Sequence, residues 1–301
     1  VESGTGVSEE LVARLARYFA AEPTRPGILA RAELGRPDSG DREIARRLRA
    51  RLAAELRADG SVGGVSLATM WRVHELLDLG EPAASPAIRR PVAWLAALQG
   101  KSGAFGEGCD RARHARRLCH HFLAGFFSPA PPDRRLAPVT LPNGKVYRAE
   151  PAARFALSCL ALRALLRADE GTSPLVRLHI QSLARLAEQW SKWRDSFTPD
   201  AIVAGIHALG LAGPEHAGAV ARLTSVAASK QAPDGTWPDT DLFQTLEMLH
   251  AVGSPEALRA VRRALPALEA RQRSDGTFGG TARQERALIG LRAALWALRR
   301  S

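Results

Sequence analysis

Three groups of residues in this 301-residue chain have the types and spacing to do chemistry. The first is the polar run Cys109-Asp110-Arg111-Ala112-Arg113-His114-Ala115-Arg116-Arg117-Leu118-Cys119-His120-His121. Cys109, Asp110, Cys119 and His120 carry atoms that ligate zinc. The spacing argues against it, since no His-x-x-x-His pair is present and His120 and His121 project about 100° apart on a helix. Arg113, Arg116, Arg117 and His120 fall at three- and four-residue steps, with His121 alongside. That stripe suits a carboxylate or a diphosphate. The plainer alternative is a polar helix covered by the Pro-rich stretch that follows it, its arginines paired with Glu107, Asp133 or Glu150. The second group is Asp239-Thr240-Asp241 at the start of a helix. Asp241 with Gln244 three residues on also reads as a capping box, as does Thr281 with Gln284. The third is His74, His207 and His250, near the ends of three helices, where imidazole complements the helix dipole. A histidine there that faces a cavity becomes an acid/base group, and His250 is carried forward as a catalytic candidate. No nucleophile elbow, phosphate-cradling loop or dinucleotide fingerprint is present.

Composition narrows the classes. Net charge is +11, but 38 of the 42 basic residues are Arg. No single-sign block or basic–aromatic alternation accompanies them, so nucleic acid is not an expected partner. Three cysteines at positions 109, 119 and 159 form no framework, which points to reduced thiols and a cytoplasmic setting. The first residues carry no basic-then-apolar leader pattern, and no apolar run approaches the ~20 residues of a membrane span.

The elements that must position these residues are helices. Helical spacing and caps predict them over 8–21, 40–58, 66–80, 87–99, 110–127, 150–168, 174–193, 198–210, 214–230, 242–252, 254–273 and 282–299, and no strand. Turns fall between alternate helices at Asp59, Ser102, Asn143, Asp195, Asp234 and Asp275, in steps of 43, 41, 52, 39 and 41 residues. A near-constant period of two helices marks a repeat architecture, and six steps suggest closure. The helices after the turns are the more apolar, as in Phe155 to Leu166 or Ala201 to Leu211, and form an expected inner ring; those before the turns form an outer one. On this reading 110–127 is an inner helix. The Pro-rich stretch at about 128–142 replaces an outer helix, as an insertion of the lid or binding-loop kind. The expected organisation is one domain over 1–301.

Gln231…Asp234-Gly235-Thr236-Trp237 and Gln272…Asp275-Gly276-Thr277-Phe278-Gly279-Gly280 resemble the repeat of the prenyltransferase and squalene–hopene cyclase superfamily, with Asp59 to Gly64 a fainter copy. The resemblance implies an all-α (α/α)6 toroid around an apolar cavity. It also makes Pro238-Asp239-Thr240-Asp241-Leu242 similar to the Asp-x-Asp-Asp acid motif of class II terpene cyclases. By position Asp241 is then the proton donor and Asp239 its support, although Leu242 stands where the fourth Asp belongs. Trp71, Phe243 and Trp296, with Phe155, are the aromatics placed to line such a cavity. Protein prenyltransferases of the superfamily bind zinc, the other ground for the Cys109 set; no cofactor is otherwise expected.

Two functions follow. One is a terpene-cyclase-like enzyme using acid/base chemistry on an apolar isoprenoid or polyene, with an anionic head group on the arginine stripe and a place in specialised metabolism. The other is a non-catalytic toroid that binds an acidic ligand or a protein partner. Aromatics make up only 6% of the chain, few π faces for a travelling carbocation.

Overall fold

The computed structural model describes residues 3–98, 136–188, 190 and 198–299. Among them are twelve helices: α1 (Ser3–Phe19), α2 (Arg25–Glu33), α3 (Asp41–Ala54), α4 (Ser66–Asp78), α5 (Pro86–Ala97), α6 (Glu150–Arg167), α7 (Pro174–Ala187), α8 (Pro199–Gly210), α9 (Ala217–Ser229), α10 (Leu242–Val252), α11 (Pro255–Glu269) and α12 (Arg283–Arg299). The even-numbered helices close an inner ring. Each of α2, α4, α6, α8, α10 and α12 packs on the next, and α12 returns to α2. The odd-numbered helices lie outside: α5 across α4 and α6, α11 across α10 and α12, and α1 across α2 and α12. This is an (α/α)6 toroid.

Local sequence explains the two rings. Helix α8 is apolar on every side and is buried from Ala201 through Leu209, as a helix between a ring of neighbours and an outer layer must be. Helix α11 buries Leu258, Val261, Leu265 and Leu268 at three- and four-residue steps and turns its arginines outward. Ser254 caps it, its Oγ accepting from Ala257 N at 3.1 Å with Pro255 following.

The Asp-Gly turns hold neighbouring repeats together. In each, the Asp side chain accepts from the backbone N–H and the hydroxyl two residues on: Asp59 from Ser61, Asp234 from Thr236, Asp275 from Thr277, all at 2.7–2.9 Å. The glycine then takes a positive φ and presses on the next outer helix. A Cβ on Gly235 would lie 2.3 Å from Arg263 O, and one on Gly276 2.8 Å from Arg14 O. Gln231 Nε2 bridges Gly235 O to Ala260 O, and Gln272 Nε2 bridges Gly276 O to Leu11 O. The last bridge joins the sixth repeat to the first. The repeated Gln, Asp, Gly and Thr are therefore accounted for by ring closure.

Arginine has a structural task as well. Arg31 donates to Phe19 O, Arg72 to Leu52 O, Arg222 to Ala187 O and Arg263 to Ala228 O, at 2.7–3.3 Å. Each meets orphan carbonyls at the C-terminal end of an outer helix, where a cation is favoured.

The structure corrects four expectations. Helix α2 was not foreseen; Thr24 caps it, with Pro26 in its first turn. Two strands exist: β1 (Val139–Thr140) and β2 (Val146–Tyr147) pair antiparallel around the Asn143-Gly144 turn. Asn143 turns this hairpin, ahead of α6, while the first repeat turns at residues 20–24, where no repeat turn is expected; Ser102 and Asp195 lie outside the described residues. Finally, α4 packs directly on α6 with α5 across both, so the described helices close the ring and the third repeat has its outer helix; residues 110–127 lie outside the described residues. Of the Pro-rich stretch, residues 136–142 are described and lead into the hairpin ahead of α6.

Candidate functional site

Inside the ring is a cavity of about 280 Å³, near the lower end of the roughly 300–1,000 Å³ typical of small-molecule pockets. The inner helices line it with one face each. Trp71, His74 and Asp78 come from α4, Leu160, Arg163 and Arg167 from α6, and His207 from α8. Glu247 and His250 come from α10, Glu285, Leu288, Ile289 and Arg292 from α12, and Arg25 from α2. Their spacings of three, four and seven residues put each set on one helical face. Leu141, Pro142 and Asn143, from the tip of the β1–β2 hairpin, complete the lining.

Charges in this lining are paired across helices. Arg25 bonds both Asp78 and Glu285, and its guanidinium lies 5.0 Å from the Trp71 ring centroid. Arg167 reaches Asp78 Oδ1 at 2.6 Å and His74 Nδ1 at 2.9 Å. Guanidinium only donates, so His74 Nδ1 accepts and its proton sits on Nε2. Arg163 Nη2 donates to Glu247 Oε1 at 2.7 Å, Asn143 Nδ2 to Glu247 Oε2 at 3.2 Å, and Arg292 Nε to Glu33 Oε1 at 3.1 Å.

Burial and these partners set the protonation states. Burial opposes the charge on Glu247, but Arg163 and then His207 outweigh it and hold the carboxyl down at about 2. Burial, reinforced by Arg163, holds His207 down at about 3, and the same two causes keep His74 well below the ordinary imidazole range. His250 is lowered by burial and Arg292. Glu285 goes the other way, raised by burial against the pull of Arg25. The cavity therefore presents neutral imidazoles among paired ions.

Asp241 sits elsewhere. It caps α10, Oδ1 accepting from Phe243 N at 3.0 Å and Gln244 N at 3.1 Å, while Oδ2 accepts from Arg286 Nη2 at 3.0 Å. It is not among the residues lining the cavity. Asp239 is exposed with φ +62°, a region aspartate tolerates. Of the first expected capping box only the Asp241 half forms, since Gln244 Oε1 makes no return bond and Nε2 donates to Tyr147 Oη; Gln284 Nε2 donates to Glu22 Oε2.

No protein-family model and no curated protein matches the chain. Solved structures do. A variant of the type II terpene cyclase MstE from Scytonema, in complex with its substrate geranylgeranyl dihydroxybenzoate, superposes over 99% of both chains with a TM-score of 0.59 at 12% identity. A protein from Actinoplanes superposes over 97% of this chain and 99% of its own, with a TM-score of 0.59 at 15% identity. The chain has a terpenoid cyclase-type fold.

Within that cyclase-type toroid, the residues singled out from sequence disperse. His74, His207, His250 and Trp71 converge on the cavity. Phe243 is buried beneath Arg286, 4.9 Å from its guanidinium, and meets Phe278 with the rings tilted by 53°, while Trp296 and His250 meet edge to face at 5.6 Å. Arg113, Arg116, Arg117, His120 and His121, and the zinc candidates Cys109, Asp110 and Cys119, lie outside the described residues. Among the described residues no cluster of three or more His, Cys, Asp or Glu could hold a metal, and no helix is long and apolar enough to cross a membrane. Arg25, Asp78, Arg163, Arg167, Glu247, Glu285 and Arg292 were not singled out. Their signal was a charged residue on the buried side of an apolar helix, as in Arg163 and Arg167 after Leu160.

Proposed function

We propose that this toroid binds a compact, polar, charge-bearing small molecule in its central cavity. The observation that carries this is the lining itself: four guanidiniums and three carboxylates around about 280 Å³. Ions already paired across helices give a preorganised polar surface, and neutral His207 and His250 add hydrogen-bonding groups that a ligand hydroxyl or amide can use. Leu288 and Ile289 leave room for a short apolar portion.

The second reading, a terpene-cyclase-like enzyme acting on an isoprenoid, has the fold in its favour and a cyclase of that fold with a prenylated substrate bound. Three features weigh against it here. Both oxygens of Asp241 accept from N–H donors, an arrangement for a carboxylate rather than for an acid poised to protonate an alkene. One face of Trp71 and one of Phe243 are occupied by Arg25 and Arg286, so those faces do not serve a carbocation. Guanidiniums around the cavity would also repel a cationic intermediate.

Native mass spectrometry and thermal unfolding with a ligand panel separate the two. The panel holds small mono- and dicarboxylates, amino acids and inorganic phosphate on one side, and farnesyl diphosphate, geranylgeranyl diphosphate and squalene on the other. We expect a one-to-one complex with a member of the first group and a raised Tm, both weakened by added salt. The Arg163→Gln/Glu247→Gln double variant, which removes both charges together, should lose that shift. Salt-insensitive binding of an isoprenoid, with turnover abolished by Asp241→Asn, would replace this reading with the cyclase one.

A further inference from the structure

The hairpin of residues 139–147 has one side on the cavity and the other in solvent. Its outer positions Pro138, Thr140, Val146 and Arg148 are exposed, while Asn143, Gly144 and Tyr147 are buried and Leu141, Pro142 and Asn143 line the cavity. We propose that this hairpin is the cavity's gate and that Asn143 is its latch. The proposal rests on the ligand-binding reading only in requiring that the cavity be entered.

The contacts are those of a part that can lift. Each strand has two residues, and the turn is closed by Leu141 N to Lys145 O and Gly144 N to Leu141 O, both at 2.8 Å. Such a short hairpin has little stability of its own. Its base packs on α6, where buried Tyr147 lies with Ala153 and Ala156 and is joined by Val139 and Leu141; its tip is held to the ring by polar side-chain bonds. Asn143 Nδ2 donates to Glu247, Asn143 O accepts from Arg286 Nε at 3.0 Å, Lys145 pairs with Asp200, and Gln244 donates to Tyr147. Water can replace polar bonds of this kind when the tip rises about that packed base, so lifting the tip costs less than unpacking an apolar contact of equal size. Every strong contact also has a defined partner, so the closed position is specific.

Two of these contacts tie the gate to groups described above. Glu247 holds Asn143 and Arg163 together; a ligand anion arriving at Arg163 competes with Glu247 and loosens the latch from inside. Arg286 bonds Asn143 O with Nε and Asp241 Oδ2 with Nη2. Asp241 is thereby a positioning residue for the gate, acting through Arg286, which gives the acid of the cyclase-like motif a task without proton donation.

A reversible lock tests this. A Cβ on Gly144 would lie 3.2 Å from Ala282 Cβ, slightly inside the roughly 3.5–4.5 Å of a disulfide, so the Gly144→Cys/Ala282→Cys variant can cross-link the hairpin to the residue before α12. Both positions have positive φ, +84° and +53°, and Arg286 Nε would lie 3.0 Å from the new Cβ, so the oxidised variant is compared with the same variant reduced. Phenylglyoxal labelling of Arg163, read by peptide mass spectrometry, reports cavity access without needing a ligand; exposed Arg47 is the internal control. Oxidation should slow Arg163 labelling by roughly tenfold or more and reduction should restore it, since entry then needs local opening. Asn143→Ala should speed it, with Arg47 unchanged in both. In the unmodified protein the amides of Leu141 and Lys145 should exchange hydrogen well before those of α8 and α10. Equal Arg163 labelling in oxidised and reduced protein overturns the gate. Should the double variant fail to fold, hairpin amides exchanging as slowly as α10 overturn it instead. A gate that works around a cavity taking none of the polar panel would sink the ligand reading alone.

Discussion

Asp241 and Glu247 stand on one helix, α10, and do different things. Asp241 is at the end, where the first turn leaves backbone N–H groups without partners; it satisfies two of them and takes one arginine. Glu247 is nearly two turns further on, facing the cavity, with Arg163, Asn143 and neutral His207 around it. The residue with the recognisable motif is the structural one, and the residue with no motif lies at the polar centre. A carboxylate at a helix N-terminus has a local reason to be there. One in the middle of an otherwise apolar inner helix needs a partner from another helix.

The largest expected effect follows from breaking that partnership. Glu247→Ala leaves Arg163 without its carboxylate and Asn143 without its acceptor. Because the cavity lets some solvent reach the pair, the loss should be about 2–4 kcal/mol, at or below the cost of orphaning a fully buried charge. Urea unfolding measures it. Glu247→Gln should recover part, since an amide still accepts from both donors. The difference between wild type and Glu247→Gln should also depend on pH. The folded carboxyl titrates at about 2, below its unfolded value of about 4.3. Its contribution is therefore full above that value and fades as pH falls toward 2. A difference that does not change from pH 6 to pH 3 would show that Arg163 is not stabilising a carboxylate there.

Next in size is His207. Its folded imidazole titrates at about 3, against about 6.5 when unfolded. As pH falls below 6.5 the unfolded chain takes up a proton that the folded chain refuses, so stability declines. From pH 7 to pH 5 this one histidine should cost about 2 kcal/mol. His207→Gln should remove that share of the pH dependence, read from urea midpoints at the two pH values; His74, His179 and His250, also lowered, keep a further share. Equal slopes in wild type and variant would mean that His207 accepts a proton in the folded state.

The same contrast explains how much was legible in the sequence. The toroid was, because a turn needs particular residues: Asp234-Gly235-Thr236 and Asp275-Gly276-Thr277 each carry an Asp to fold back on the Thr and a Gly to fit against the next helix. Helix α2 was hidden by Pro23 and Pro26, yet Thr24-Arg25-Pro26 is the same cap-then-proline signal that was read correctly at Ser254-Pro255. Asn143 fell on the repeat period by coincidence, as a hairpin turn ahead of α6. The cavity was the least legible part. Arg163, Glu247 and Glu285 find their partners on other helices, 84 residues away for the Arg163–Glu247 pair and 260 for Arg25–Glu285. Helical periodicity shows which residues share a face of one helix and carries no information about which faces meet.

The smallest effect belongs to Asp241, and it decides whether the comparison holds. Asp241→Ala removes the cap of α10, typically about 1 kcal/mol, and the partly exposed pair with Arg286, up to about 1 kcal/mol more. Asp241→Asn keeps the cap, since Asn serves as well as Asp at that position, and loses the ion pair alone. The two variants should therefore separate by about 1 kcal/mol in unfolding free energy, with unchanged denaturant slopes. Arg286 loses one of its anchors but keeps its bond to Asn143 O and its place over Phe243, so Arg163 labelling should speed modestly as the latch loosens while both variants still bind whatever ligand the cavity takes. If Asp241→Asn instead abolished binding or turnover at unchanged stability, the two ends of α10 would have to exchange roles. The cap would become the reacting group, and Glu247 its electrostatic support.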